Sequence, residues 1–442
     1  YACLQQDKSG SEIRSPNECS FGGTGKTNHT NTTSISITQD YQYLQWLKNH
    51  LYDKILFIQY TTWDIRKSIK SVNKGQTDLA LENVTKKSLR LALIASEHTV
   101  SEYSIFLEHL LVGLADESIP VALVCPPGCD MDSMFTGAAE IIQYPVFELP
   151  LTEHLNRRLL IERLAKFKPT VVHCLCESMA LLTRRLTRRL NLPYVLMVNS
   201  LAKQLVRFSV SPRRCARIVT PAKSIASDIA EAFPRFGDRI EQINIGTFVV
   251  ENNGCFSDSS RCATIVMTQP LDDVDSIEKL FTAIRHLMVD GYEFMMVVTG
   301  KGRGEGQLRK LLAALGLLQT VTIVPRLKPW RSLLGAGDIF VQPKPDYSFD
   351  PLLLEAMSVG SVVATCKGGV DDLIIDGRTA VIFDPDDELS IVRTLQRLLN
   401  KRDFARKTAK TAQQYLKENH TVSEMISATL KTYKQAQKWM KS

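Results

Sequence analysis

Asp338-Ile-Phe-Val-Gln-Pro343, followed by Ser348-Phe349-Asp350-Pro351-Leu352-Leu353-Leu354-Glu355-Ala356-Met357-Ser358-Val359-Gly360 and Ser361-Val-Val-Ala-Thr365, is the stretch that decides the fold. It reads as a strand over 338–342, a helix over 351–359 and a second strand over 361–365. Asp350 suits the N-cap and Pro351 the first helical turn, where a missing N–H costs nothing. The same alternation extends outward in both directions. Strand-like runs at 263–268, 293–299, 320–324 and 380–383 alternate with helical stretches at 274–289, 304–316, 329–336 and 386–400. Upstream, runs at 89–95, 119–125, 170–174, 194–198 and 216–219 alternate with helical stretches at 103–116, 153–167, 177–190 and 222–234. Alternating strand and helix predicts parallel sheets covered on both faces.

An Asn-, Gly- and Ser-rich segment, Asn244–Arg261, reads as a linker between the halves. Two helices, 403–418 and 422–441, close the chain. The expectation is an α/β protein of two Rossmann-like domains, 89–250 and 260–418, with a ligand cleft outside the carboxyl ends of the strands. Residues 1–88 form an N-terminal extension, and 419–442 a final helix.

Composition sets the outer bounds. The 442 residues are 44% hydrophobic and 23% charged, which excludes a wholly disordered chain. No apolar run approaches the ~20 residues of a membrane span. Ten cysteines include no Cys-x-x-Cys pair, so free thiols in a reducing, cytoplasmic setting are expected. In residues 1–40, Gly, Ser, Thr and Asn fill 19 positions and large apolar residues five, a composition that predicts disorder. Within it, Gly22-Gly23-Thr24-Gly25-Lys26-Thr27 lacks the apolar flanks of a phosphate-binding loop. Segments 41–51 and 55–60 read as a helix and a strand without a role.

Two constellations carry candidate chemistry. Thr299-Gly300-Lys301-Gly302 ends a strand before a helix. Glycines there let backbone approach a ligand, the helix start favours an anion, and Lys301 and Arg303 add charge. The alternative is glycine serving the turn alone. In the second, the backbone of Ser348, Phe349, Leu353 and Leu354 opens a helix whose amides would face the cleft. Glu355 lies one turn deeper among Leu and Met, where a carboxylate needs a polar partner or a ligand, unless it lies on a solvated face.

The segments Asp338–Pro343, Leu354-Glu355-Ala-Met357, Gly360–Thr365, Gly368-Gly369, Asp376-Gly377 and Asp384-Pro385-Asp386-Asp387 resemble the C-terminal domain of family 4 glycosyltransferases, of GT-B fold. Val171-Val172-His173, Ile218–Ser224 and Asn244-Ile-Gly246 agree, so the resemblance covers roughly residues 89–442. It implies transfer of a sugar from a nucleotide-diphospho-sugar to a saccharide or lipid-linked acceptor, with retention of configuration and no cofactor or metal. It also implies that the last helix returns to the first domain and that Glu355 holds the donor ribose. Several motif positions depart from the family. Its first motif glutamate falls on Tyr347, a motif glycine on Asp350, the diphosphate-gripping Arg and Lys near Pro270 and Asp275, and a histidine on Asn199. Lys301, Arg303, Arg326 and Lys344, all at strand ends, are the cations that could compensate, and His173 is a candidate for substrate contact. These departures leave a second reading, a catalytically inactive GT-B partner subunit.

Residues 151–220 hold 14 Lys or Arg against three Asp or Glu, a larger excess than the +7 of the whole chain. Arg184, Arg185, Arg188 and Arg189 lie on a helix whose Leu181, Leu182, Leu186 and Leu190 are expected on the opposite, inner face. Such a face is either a solvated surface over a Rossmann core or one that suits an anionic membrane surface, and without interleaved aromatics it does not suggest nucleic acid. The expected location is cytoplasmic, with the inner face of a membrane as the place where the second alternative would put it.

Overall fold

The computed structural model describes residues 88–129, 139–146, 152–205, 208–251, 254–258, 260–300, 302–324 and 330–440. The readings made for 1–40, 22–27, 41–51 and 55–60 lie outside the described residues. The first domain runs β1 (Leu91–Ile94), α1 (Glu97–Ser101), α2 (Ser104–Asp116), β2 (Val121–Cys125), β3 (Glu140–Gln143), α3 (Glu153–Phe167), β4 (Val171–Cys174), α4 (Ala180–Leu190), β5 (Tyr194–Met197), β6 (Cys215–Thr220), α5 (Lys223–Ala232) and β7 (Ile240–Gln242). Its strands form one parallel sheet ordered β3-β2-β1-β4-β5-β6-β7. Strands β1, β2, β4 and β5 are buried at every position, as a sheet covered on both faces requires. The two strands that the sequence did not announce, β3 and β7, are the sheet's edges. Their Glu-Ile-Ile-Gln and Ile-Glu-Gln sequences carry no continuous apolar run.

The second domain comprises β8 (Ala263–Thr268), α6 (Glu278–Val289), β9 (Phe294–Thr299), α7 (Glu305–Ala314), β10 (Val321–Val324), α8 (Trp330–Ala336), β11 (Ile339–Gln342), α9 (Pro351–Ser358), β12 (Val362–Thr365), β13 (Val381–Ile382) and α10 (Glu388–Asn400). Helices α11 (Arg402–Asn419) and α12 (Val422–Trp439) follow. The sheet order is β10-β9-β8-β11-β12-β13, again parallel. Successive residues on β8 face opposite sides. Ile265 and Met267 join a core with α6, α7 and α10, whereas Val266 joins one that runs through α8 and α9 into the first domain.

The segment between the sheets is irregular but packed, so it works as a strap rather than a loose linker. Thr247 N donates to His420 O at 2.9 Å, Val250 N to Ser358 O at 3.0 Å and Cys255 N to Gly360 O at 2.9 Å. A Cβ on Gly246 would fall 2.5 Å from the Thr421 carbonyl oxygen, so only glycine lets the strap cross the start of α12. Buried Asp338 accepts from Phe256 N at 2.6 Å and from Arg261 Nη2 at 2.7 Å, tying the strap's far end to β11.

Helix α12 lies on the first domain. Tyr433 Oη is 2.7 Å from His173 Nδ1, Arg217 Nε donates to Gln435 at 3.0 Å, and Thr432 Oγ1 donates to Glu241 at 2.9 Å. Among the described residues no helix is long and apolar enough to cross a membrane.

Burial pushes the His173 imidazole down to about 3, so it is neutral in the folded chain. The unfolded chain takes up this proton first, near the ordinary histidine pKa of ~6.5. Stability is therefore lost as pH falls below that value. His173→Phe should remove about 1–2 kcal/mol of the stability difference between pH 7 and pH 5, read from urea midpoints at the two pH values.

Candidate functional site

Each sheet has one point where its strand order reverses, between β1 and β4 and between β8 and β11. Ligands of doubly wound sheets sit outside the carboxyl ends of the strands at such points. Glu177 follows β4, Asn199 and Ser200 follow β5, and Asp346–Asp350 follow β11. These segments meet. Ser200 and Ser348 form an isolated antiparallel bridge, with Phe349 N donating to Asn199 O at 2.8 Å and Leu201 N to Tyr347 O at 2.9 Å. The two serine hydroxyls lie 2.8 Å apart, and Tyr103 Oη donates to Phe349 O at 2.6 Å. Lys203 Nζ stands 3.4 Å from the centroid of the Tyr347 ring, a cation–π contact between the domains.

The seam is rich in carboxyl groups. Glu177 accepts from Ser200 Oγ at 2.6 Å and from Asn199 N at 3.3 Å. Asp346 accepts from Ser348 N, and Asp350 from Leu352 N, each at 2.8 Å. Burial, and then the neighbouring Asp346, push Asp350 up to about 7. Burial also raises Asp346, against the opposing pull of His98 and Lys344. Tyr103 is held well above its ordinary range by burial and then by the charges of Glu177, Asp346 and Asp350.

Glu355 lies deeper, 3% exposed, and its partner is Arg331 on α8: Nε donates to Oε2 at 2.7 Å. Thr247 of the strap donates to Oε1 at 2.7 Å and accepts from Arg331 Nη2 at 2.9 Å. Arg331 also reaches the Phe248 carbonyl and Ser358 Oγ. The polar partner that a buried glutamate demands is thus supplied within the chain. The strap brings Gly246 to 3.2 Å from His109 Nδ1 on α2, and burial pushes that imidazole down to about 4.

The other expected site residues divide clearly. Gly300 and Gly302 pack backbone to backbone on the 269–272 loop: a Cβ would fall 1.9 Å from Gln269 O and 2.3 Å from the Leu271 carbonyl carbon. The turn therefore needs glycine for its own packing. Arg303 extends into solvent, while its N–H donates to Asp272. Lys301 and Arg326 lie outside the described residues, and Lys344 is half-buried beside the seam. Ser348 and Phe349 are at the seam. Leu353 and Leu354 are core residues that seat α9, whose first free amides are taken by Asp350. His173 packs under α12, and its buried Nε2 has no partner. The sequence reading missed Glu177, Tyr103, Lys203, Thr247 and Arg331, because each gains meaning only from a partner distant in the chain. Among the described residues no cluster of His, Cys, Asp and Glu could hold a metal ion.

Two parallel Rossmann-like sheets meeting at their carboxyl ends, with a last helix returned to the first domain, define the GT-B architecture. Residues 261–415, which take in most of the second domain, match the family described as Glycosyl transferases group 1. The chain is 23% identical over 292 residues to the sulfoquinovosyl transferase SQD2 of Arabidopsis thaliana, covering 60% of this chain and 57% of that one. It is 27% identical over 139 residues to the alpha-D-kanosaminyltransferase of Streptomyces kanamyceticus, covering 31% of this chain and 36% of that one. The match therefore spans little more than half the length of the first of these curated relatives and about a third of the second. Anabaena Alr3699/HepE, solved in complex with UDP and glucose, superposes with a TM-score of 0.66 at 13% identity, over 78% of this chain and 99% of that one.

Glu355→Ala strands the Arg331 guanidinium and should destabilise the fold by about 3 kcal/mol in urea unfolding. Pairing Glu355→Leu with Arg331→Met should cost less than the sum of the two single changes, because no charge is left unpaired.

Proposed function

We propose that the protein is a glycosyltransferase that moves a sugar, of the hexosyl type, from a nucleotide-diphospho-sugar to a hydroxyl acceptor with retention of configuration. The nucleotide sugar is its substrate, and the reading needs no resident cofactor. The observation that carries it is the group 1 match over residues 261–415 on a frame whose two sheets turn their carboxyl ends to one seam. The relatives' names, a sulfoquinovosyl and a kanosaminyl transferase, support sugar transfer, and the acceptor in this reading belongs to glycolipid or surface-polysaccharide synthesis.

In this reading the donor enters between the domains. Glu355, held in place by Arg331 and Thr247, takes the ribose. The 300–302 turn and the start of α9 flank the phosphates. Lys301, Arg303, Arg326 and Lys344 supply the cations, each charge-assisted bond contributing roughly 1.5–3 kcal/mol. Closure of the seam excludes water and limits donor hydrolysis.

The acceptor side carries a basic face. On α4 Leu186 is buried and Leu182 and Leu190 pack partly buried against the core as expected, together with Ala180, Thr183 and Thr187, whereas Leu181 is 41% exposed beside the arginines. Thr187 Oγ1 donates to Thr183 O at 2.8 Å, which makes the buried threonine tolerable. Exposed Leu155 on α3 and Val146 add apolar surface near Arg157, Arg158 and Arg185. Apolar residues ringed by arginines suit a peripheral contact with an anionic membrane at its cytoplasmic face.

A panel of UDP-, GDP- and ADP-sugars tests the donor site. Ligand at one hundred times its Kd stabilises by about 2.7 kcal/mol, a visible thermal shift, and Glu355→Gln should reduce it. Absence of any shift at millimolar ligand overturns the assignment. Vesicle flotation tests the basic face. Binding should require anionic lipid, fall with salt, and be lost in the Arg188→Glu, Arg189→Glu double variant, whereas equal binding to neutral vesicles removes the membrane reading.

A further inference from the structure

We propose that Asp372 is a positioning residue that holds the two domains in register, by capping helix α5 of the first domain from a loop of the second. It touches no substrate; what it fixes is the place of the seam loops relative to one another. The first residues of a helix leave backbone N–H groups without partners, and a side chain just before the helix ordinarily accepts from them. Helices α1, α9, α10 and α12 are capped in this way by Ser96, Asp350, Asp387 and Thr421. Before α5 stands Ala222, which has no side chain to offer. The cap comes instead from Asp372, 149 residues along the chain from Lys223. Its Oδ1 accepts from Lys223 N at 2.7 Å and from Ser224 N at 3.1 Å, and its Oδ2 accepts from Ser224 Oγ. A carboxylate there also faces the positive end of the helix dipole.

Both sides of this contact lead to the seam. On the second domain Asp372 follows the Gly368-Gly369 turn, which lies against the loop after β11. Val370 N donates to Asp346 O at 2.7 Å, and a Cβ on Gly369 would fall 1.9 Å from the same oxygen. Leu373 and Ile374, next along, are buried in the core that runs into the first domain. Tyr415 Oη on α11 donates to Asp372 O at 3.3 Å. On the first domain, Asp228 of α5 accepts from Ala202 N, in the loop whose Ser200 and Lys203 meet Ser348 and Tyr347. One helix thus holds the seam loop of its own domain through Asp228 and receives the carboxylate of the other domain at its start. A rotation that lifts the second domain off α5 breaks three hydrogen bonds at once and returns the α5 amides to water. The cap therefore favours the orientation in which the seam loops pair. Loss of a helix cap changes an equilibrium constant by about two- to thirty-fold.

The test is read on the free protein by hydrogen exchange, which follows the opening equilibrium of each segment. Asp372→Ala should speed exchange at 222–226 and, by about two- to thirty-fold, at both 199–201 and 346–350. Those last two segments hold the interdomain bonds of Leu201 N to Tyr347 O and Phe349 N to Asn199 O, and neither touches the Asp372 carboxylate. Ser224→Ala, which removes one of the three bonds from the first-domain side, should give the same pattern at roughly two- to five-fold. Faster exchange at 222–226 alone, or on one side of the seam only, reduces Asp372 to a local contact and overturns the proposal, as does unchanged exchange throughout. If Asp372→Ala fails to fold, Asp372→Asn keeps an acceptor and removes the charge; it should speed exchange on both sides of the seam, and no change there overturns the proposal. A chain that binds no nucleotide sugar can still pass this test, so the sugar-transfer reading and the register of the domains stand or fall separately.

Discussion

The buried pairing of Arg331 with Glu355, closed by Thr247, is the constraint on which the arrangement of the two sheets depends. Glu355 is on α9, Arg331 on α8 and Thr247 on the strap, so one charge cluster joins two helices of the second domain to the segment entering it. Beside it the strap touches the first domain through His109 and crosses the start of α12 at Gly246. A carboxylate and a guanidinium removed from water lose hydration worth several kcal/mol each, and they are tolerated only when their remaining hydrogen-bonding sites are filled. Here Thr247, Ser358 and the Phe248 carbonyl add hydrogen bonds to the pair. The strap is therefore held by bonds that are costly to give up singly.

The seam shows the opposite economy. Its hydrogen bonds are mostly single backbone and hydroxyl contacts between loops, and Asp346, after burial, raises the affinity of Asp350 for a proton. Contacts of that kind are individually worth roughly 0.5–1.5 kcal/mol. Four of the seven buried polar side-chain atoms without a partner among the described residues, on Asn199, Thr268, Gln269 and Thr299, lie at the carboxyl ends of strands; the others are on His173, Thr183 and Arg239.

Much of the fold was legible in the chain. The apolar runs of the second domain are strands at nearly the expected positions, because a strand buried on both faces must be apolar throughout. Edges escaped: β3 and β7 are half-solvated and have no such signature. On α4 the helical period placed four leucines inside, but the packed face contains Thr183 and Thr187, and Leu181 turns outward. Period alone does not say which side of a helix its neighbours leave open. At the site, Ser348, Phe349 and Glu355 were legible from the helix start they surround. For Gly300 and Gly302 the sequence left a ligand cradle and a structural turn open, and the close packing of the 269–272 loop on both supports the second use without testing the first.

What the sequence determined by itself was the two parallel sheets, their order in the chain and the helix that opens at Pro351. These follow from local periodicity and caps, which act within one or two turns of chain. The tertiary structure decided which charges meet. Glu355 found Arg331 rather than water, His173 found Tyr433 at the far end of the chain, and Glu177 came to face Ser348 across the seam. Electrostatic partners are chosen by proximity in space and by the low dielectric around them, and neither is written in the spacing of residues along one segment.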